Sequence, residues 1–285
     1  MSRRGFALLA VLWVLTALGV LAGSALLTAR EGQLASRNRL VLARAEWASE
    51  ACIEITMGKY AADSAFRAID TTALGRGTWC TARLVDPSSL LNLNLADSSA
   101  LRTVLGSDSL VDALMDWRDA DAVSRPYGAE ADWYRAFRRV PPRNGTFRSI
   151  REVQLVRGFE AIPVARLEAL FTTDGPGRIG LNVAAPEVLA TVPGMGAEAI
   201  AVLLVRRSRG ERFNSADELL GRLSPPGRKL LTDRFQEFLS QAAFSSARYI
   251  LVADGGVRGY PLRASARLEV APAGRRLAVI TREVQ

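Results

Sequence analysis

The chain has 285 residues and no histidine. That single absence removes Ser–His and Cys–His nucleophilic pairs and all imidazole metal sites. Its two cysteines, Cys52 and Cys80, cannot build a zinc site alone. The expectation is a protein that is not an enzyme. Lysine is almost missing too: Lys59 and Lys229 are the only two, so the net charge of +8 rests on arginine. Those arginines are scattered among acids, as in Arg151–Glu152 and Arg282–Glu283. A residue-usage bias therefore accounts for the basicity as well as a phosphate-binding face would. There is no proline between Phe6 and Tyr60, and no charge between Phe6 and Ala29.

What is present describes a folded, exported protein. A hydrophobic share of 49% with 23% mixed charge excludes disorder, and the length supports one large domain or two ordinary ones. The uncharged run Phe6–Ala29 is 24 residues, enough for a helix to cross about 30 Å of hydrocarbon. Arg3 and Arg4 ahead of it leave the N-terminus cytoplasmic and the bulk exported. A cleaved secretory signal would have a shorter core, of about 7–15 residues, ending in a small-residue site. A simple anchor is the alternative reading.

The start, Arg3-Arg4-Gly5-Phe6 followed by aliphatic residues, resembles the type IV prepilin signal. That resemblance implies cleavage after Gly5 by a prepilin peptidase and methylation of Phe6. Losing the two arginines would lower the charge to +6. Pilins mostly carry Glu at the fifth mature position, facing a neighbouring subunit's terminal ammonium; here that position is Ala10. Past the membrane, Leu34, Val41, Ala45, Ala48, Cys52 and Ile55 share one helical face. One continuous helix is predicted to about Met57, with Gly58 as its stop.

Thr78–Val85 alternates as a strand, and three more strands are predicted at Ala247–Ala253, Leu262–Ala271 and Arg276–Val284. Gly255-Gly256 and Pro272-Ala273-Gly274 are the expected turns between them. The fold class is therefore α+β, a pilin-like long helix and antiparallel sheet interrupted by an all-α insert. The expected boundaries are a leader over 1–5, a membrane helix over 6–29, a split pilin-like domain over 30–86 and 246–285, and the insert over 87–245. The insert repeats itself as two helix-hairpin-helix/SAM-like units. Asn94 and Asn182 correspond at an offset of 88, while Phe147 and Phe213 correspond at 66, so the first copy carries about 22 extra residues. Ser149-x-x-Glu152 and Ser215-x-x-Glu218 are matching capping boxes.

The prepilin start without the acid, the DWRDAD and GAEADWY segments, and GRIGLNVAAPEVLATVPGMG resemble, in this order, the K pseudopilins of type II secretion. The resemblance implies a minor pseudopilin at the filament tip that supports initiation of the pseudopilus and export of folded proteins. It implies partners in the minor pseudopilins I and J, other pseudopilins and the inner-membrane secretion platform. It places the chain in the inner membrane as a single-pass protein with its bulk in the periplasm. The rival function is a membrane-tethered DNA receptor, since Val192-Pro193-Gly194-Met195-Gly196 reads as a helix–hairpin–helix turn. Against it, Asp108 stands where the first copy would approach a phosphate, and nucleic acid is not the expected partner.

Asp116, Asp119, Asp121, Glu130 and Asp132 place five carboxylates within 17 residues. Hard oxygen ligands of this kind suit calcium, which the K pseudopilins bind. The alternatives are a solvated loop paired with Arg118, Arg125 and Arg135, or an acidic docking surface. Cys52 on the helix and Cys80 on the first strand are expected to form a disulfide in an oxidising periplasm, with two buried thiols as the alternative.

Overall fold

A computed structural model describes the backbone of residues 3–284 and the side chains of residues 11–282. Of the expected leader, Met1 and Ser2 lie outside the described residues. Gly5, Phe6 and Ala10 fall within the first helix, but their side chains lie outside the described set. The chain divides into two compact units, Met1–Leu84 with Leu251–Gln285, and Val85–Ile250.

In the first unit, α1 runs from Arg3 to Ala62, about 90 Å at 1.5 Å per residue. It passes the predicted stop at Gly58. A helical glycine costs only about 1 kcal/mol, and Tyr60 in the next turn is buried. The five-stranded sheet has the order β1 (Ala68–Gly75), β2 (Thr78–Val85), β3 (Tyr249–Val257), β4 (Arg263–Ala273), β5 (Arg276–Val284). β1 pairs antiparallel with β2, as β4 does with β5. β1 lacks the alternation that predicts a strand: only Ile69 is buried along this edge, and Arg76 and Gly77, both at positive φ, turn the chain into β2.

Gly255 and Gly256, expected as a turn, lie inside β3. A β-carbon on Gly256 would stand 2.5 Å from the Trp79 ring, and one on Gly255 would meet α1 backbone. The pair therefore serves close packing, and the turn falls later, at Gly259 with φ +82°. Val41, Ala45, Ala48, Cys52, Ile53 and Thr56 of α1 are buried with alternate residues of β4, Ala264, Ala266, Leu268 and Val270. Leu34 is 51% exposed, so the buried face of the helix begins about two turns later than its sequence pattern suggests. The Cys52–Cys80 disulfide joins α1 to β2 across 28 residues, with Cα atoms 6.1 Å apart. A loop of that length corresponds to about 3–4 kcal/mol in the chain-entropy account.

The second unit is built from short helices: α2 (Ser98–Leu105), α3 (Asp108–Arg118), α4 (Ala131–Ala136), α5 (Val164–Leu170), α6 (Pro186–Leu189), α7 (Ala197–Ser208), α8 (Ala216–Leu220), α9 (Pro225–Asp233) and α10 (Phe235–Gln241). Two-residue parallel ladders close it, Leu91–Asn92 against Phe171–Thr172 and Ile179–Gly180 against Ala242–Ala243. One continuous core, including Leu101, Trp117, Phe159, Leu203 and Phe238, runs through all of it.

Candidate functional site

The first candidate is α1 itself. From Val11 onward it is long and apolar enough to cross a membrane, with mean hydropathy 2.0 in its best window, none of which is buried. Its exposed apolar residues extend past the uncharged run, with Leu40 54% and Trp47 72% exposed. A helix buries such a face against lipid or against other helices.

The second candidate sits on the duplicated frame of the second unit. Asn94 receives the Phe147 N–H (2.7 Å) and donates to its carbonyl (3.0 Å). Asn182 does the same with Phe213, at 2.9 and 2.8 Å. Arg118, ending α3, donates to the Leu93 and Ala96 carbonyls; Arg207, near the end of α7, donates to those of Val183 and Ala184. Burial pushes both guanidiniums below their ordinary values. Trp117 donates to Glu152, and Arg206 donates to Glu218. Of the two expected capping boxes only the second forms its serine cap: Ser215 accepts the Glu218 N–H, whereas Ser149 makes no side-chain cap hydrogen bond. The turns before α3 and α7 match as well, with Gly106 and Gly194 both at positive φ. Neither Arg118 nor Arg207 shows this role in the sequence, because helix-end contacts to a distant turn leave no local pattern.

The second-copy hairpin is not open to a phosphate. A β-carbon on Gly194 would stand 3.1 Å from the Leu231 Cα, and one on Gly196 2.6 Å from the Leu230 side chain. The glycines serve to pack the hairpin on α9. Glu198, at the start of α7, accepts the Ser224 N–H and hydroxyl, both 2.7 Å, beside the α9 N-terminus.

The two copies differ in the length of chain between the matched arginine and phenylalanine. The second joins Arg207 to Phe213 directly, whereas the first inserts the acidic segment between Arg118 and Phe147. Asp116, on the last turn of α3, is fully buried and accepts from the Arg125 backbone N–H (3.1 Å) and guanidinium (2.6 Å). Arg125 also reaches Asp119 Oδ2, so it bridges the two carboxylates. Gly128 is required here: a β-carbon would stand 1.9 Å from Asp116 Oδ2.

Ligand oxygens of Asp119, Asp121 and Glu130 lie within 4.8 Å of one another. Asp119 Oδ1 and both Glu130 carboxylate oxygens are buried with no well-formed hydrogen bond. Burial, then the charges of Asp116 and Asp119, raise the Glu130 carboxyl above its ordinary range, an effect the Ala131 N–H offsets only in part. Three convergent hard oxygens in a partly desolvated loop fit a divalent cation of the calcium type. Asp132 is not brought to this group. It sits in the first turn of α4 with its side chain 98% exposed and pairs with Arg135. Asp116 is committed to Arg125. Of the arginines expected to neutralise the loop, Arg118 instead points at the turn carbonyls.

The architecture defines a class, a pilin-like fold with a long apolar N-terminal helix and an antiparallel sheet, with a helical unit lying between its strands in sequence. Residues 88–173, which hold the acidic cluster, match the family described as type II secretion system (T2SS), protein K. The resemblance to minor pseudopilin K is shown by this match, and it supports a minor-pseudopilin role in type II secretion. Nearly the whole chain is similar in fold to a chain in the crystal structure of the GspK-GspI-GspJ complex from the enterotoxigenic Escherichia coli type 2 secretion system. The TM-score is 0.59 at 16% identity, covering 90% of this chain and 99% of that one. No curated protein matches the sequence.

Proposed function

We propose that the chain is a K-type minor pseudopilin that seats at the tip of the type II secretion pseudopilus and acts by assembly, not turnover. One observation carries this reading: a protein-K domain lies between the helix and the last strands of a pilin-like fold. In this reading α1 sits in the inner membrane after a peptidase cleaves at Gly5 and Phe6 is methylated. The rest of the chain occupies the periplasm. Its partners are minor pseudopilins of the I and J types, as in the GspK-GspI-GspJ complex. Other pseudopilins and the membrane platform complete the assembly. Asp119, Asp121 and Glu130 would hold calcium, whose charge would offset carboxylates that otherwise repel one another.

The test is co-purification from cells with tagged I- and J-type subunits, alongside mass spectrometry of the mature N-terminus. Stoichiometric recovery of both partners with a methylated Phe6 start supports the proposal. An intact Met1 start in secretion-competent cells, or no association with either partner, rejects it.

A further inference from the structure

Arg125 touches the cation cluster without being able to join it, since a guanidinium has no lone pair to offer a metal. Asp116, its first partner, lies two residues before Arg118. The counterpart two residues before Arg207 is Val205, which is 54% exposed. The repeated frame therefore needs no carboxylate at this position. Asp116 is fully buried under the surplus segment, where Arg125 and Gly128 close over its carboxylate. That segment brings the counter-charge that makes the burial tolerable.

The guanidinium nitrogen that meets Asp116 Oδ1 at 2.6 Å also meets Asp119 Oδ2. This splits the Asp119 carboxylate: Oδ2 is held by Arg125, and Oδ1 is left buried without a well-formed hydrogen bond. The second Asp116 oxygen accepts the Arg125 backbone N–H at 3.1 Å and fills the space where Gly128 would carry a β-carbon. Gly128 leads in two residues to Glu130, which is 6% exposed and has both oxygens in the same unbonded state. One ion pair thus fixes Asp119 on one side of the loop and the approach to Glu130 on the other. Asp121 is set by different contacts: its carboxylate accepts the Val123 N–H at 2.8 Å, and its carbonyl accepts the Asn144 amide at 2.7 Å.

Charge and position act in opposite directions here. A guanidinium beside a cation site repels the cation, so charge alone makes Arg125 a hindrance. Position makes it a help, because partners that orient a ligand carboxylate are commonly worth about 10–100-fold in metal affinity. Position prevails because the Arg125 charge is already matched by the buried Asp116, which leaves little net repulsion.

Resting on the calcium reading above, we propose that Arg125 is a positioning residue for the cation: paired with Asp116, it turns the free oxygen of Asp119 toward the group formed with Asp121 and Glu130.

The test is calorimetric titration of calcium chloride into the full chain in detergent micelles, after stripping with chelator. The decisive variant is the double substitution Asp116→Asn, Arg125→Gln. It removes one buried charge together with its counter-charge, so the formal charge of the loop is unchanged and a change in affinity reports position. Calcium binding is expected to weaken about tenfold or more. Arg125→Gln alone should weaken it at least as much, although charge alone would tighten it. Arg125→Lys keeps the charge and a donor on a shorter stem, and should fall between Arg125→Gln and wild type. Arg135→Gln, whose guanidinium pairs with the exposed Asp132, should bind as wild type. Unchanged circular dichroism and tryptophan emission at the titration temperature establish that each variant is folded. The proposal is overturned, with the calcium reading intact, if the double variant binds like wild type or more tightly. It is equally overturned if Arg125→Lys binds no better than Arg125→Gln. Absence of calcium binding by the wild type overturns both.

Discussion

Gly255 of β3 lies directly against Ala45 of α1: a β-carbon on the glycine would stand 2.1 Å from the Ala45 carbonyl oxygen and 2.6 Å from the Ser49 backbone nitrogen. Both obstacles are backbone, so no rotamer change relieves them. Gly255→Ala must push strand from helix, and the expected loss is at the upper end of the overpacking range, about 3 kcal/mol. Gly58→Ala is the internal control, since nothing lies within 4 Å of a β-carbon there. It should gain about 0.5–1 kcal/mol from helix propensity alone. Denaturant unfolding of the two variants should therefore move in opposite directions; equal shifts would contradict the close approach.

The twin asparagines offer a second comparison. Asn94→Ala strands the N–H and carbonyl of Phe147, and Asn182→Ala does the same to Phe213. Each loses the two hydrogen bonds to its phenylalanine and leaves polar backbone unpaired, costing about 2–4 kcal/mol. Asn182 also donates to the Phe244 carbonyl at 2.7 Å, while the further contact of Asn94, to the Thr173 carbonyl, is 3.4 Å. The Asn182 variant should be the less stable of the two, and a reversed order in melting experiments would refute this account.

How much of this architecture is legible in the sequence follows from which interactions are local. The long helix and the strands at 78–85 and 276–284 show through periodicity, which burial of one face imposes directly. The edge strand β1 does not, because only Ile69 faces the core. Gly255-Gly256 misleads because a glycine pair reads the same whether it turns a chain or admits a neighbouring backbone. The acidic segment is visible as a run of carboxylates, but composition carries no direction. Nothing local separates Asp119 and Glu130, which turn inward, from Asp132, which points to solvent, nor marks Arg125 as the bridge between two of them.

The second-copy capping box makes a pH prediction. The Asn214 N–H, and then Arg206, hold the Glu218 carboxyl below its ordinary value. A depressed folded pKa means stabilisation that is present above the unfolded value, about 4.3, and lost as pH falls through the folded one. Glu218→Gln should thus be less stable than wild type at neutral pH, with the gap closing in acid. Melting curves at pH 7 and pH 3 check this, and a gap that widens in acid would reverse the assignment.

The cation cluster yields the sharpest outcome because its members are chemically similar and differently placed. If Asp119, Asp121 and Glu130 hold calcium, binding favours the folded state by mass action, about 2.7 kcal/mol at a hundred times the dissociation constant. Melting of the full chain should rise with calcium and fall in chelator. Magnesium should restore little, since it demands tight octahedral geometry and keeps its waters. Asp119→Ala and Glu130→Gln should each abolish the calcium response. Glu130→Gln should also stabilise the metal-free protein, because it removes a buried carboxylate that has no well-formed hydrogen bond and faces two others. Asp132→Ala should respond to calcium like wild type, its carboxylate lying outside the group in solvent. If Asp132→Ala loses the response and Glu130→Gln keeps it, the cation sits elsewhere on the loop. If no variant changes a response that the wild type shows, the three carboxylates are not its ligands.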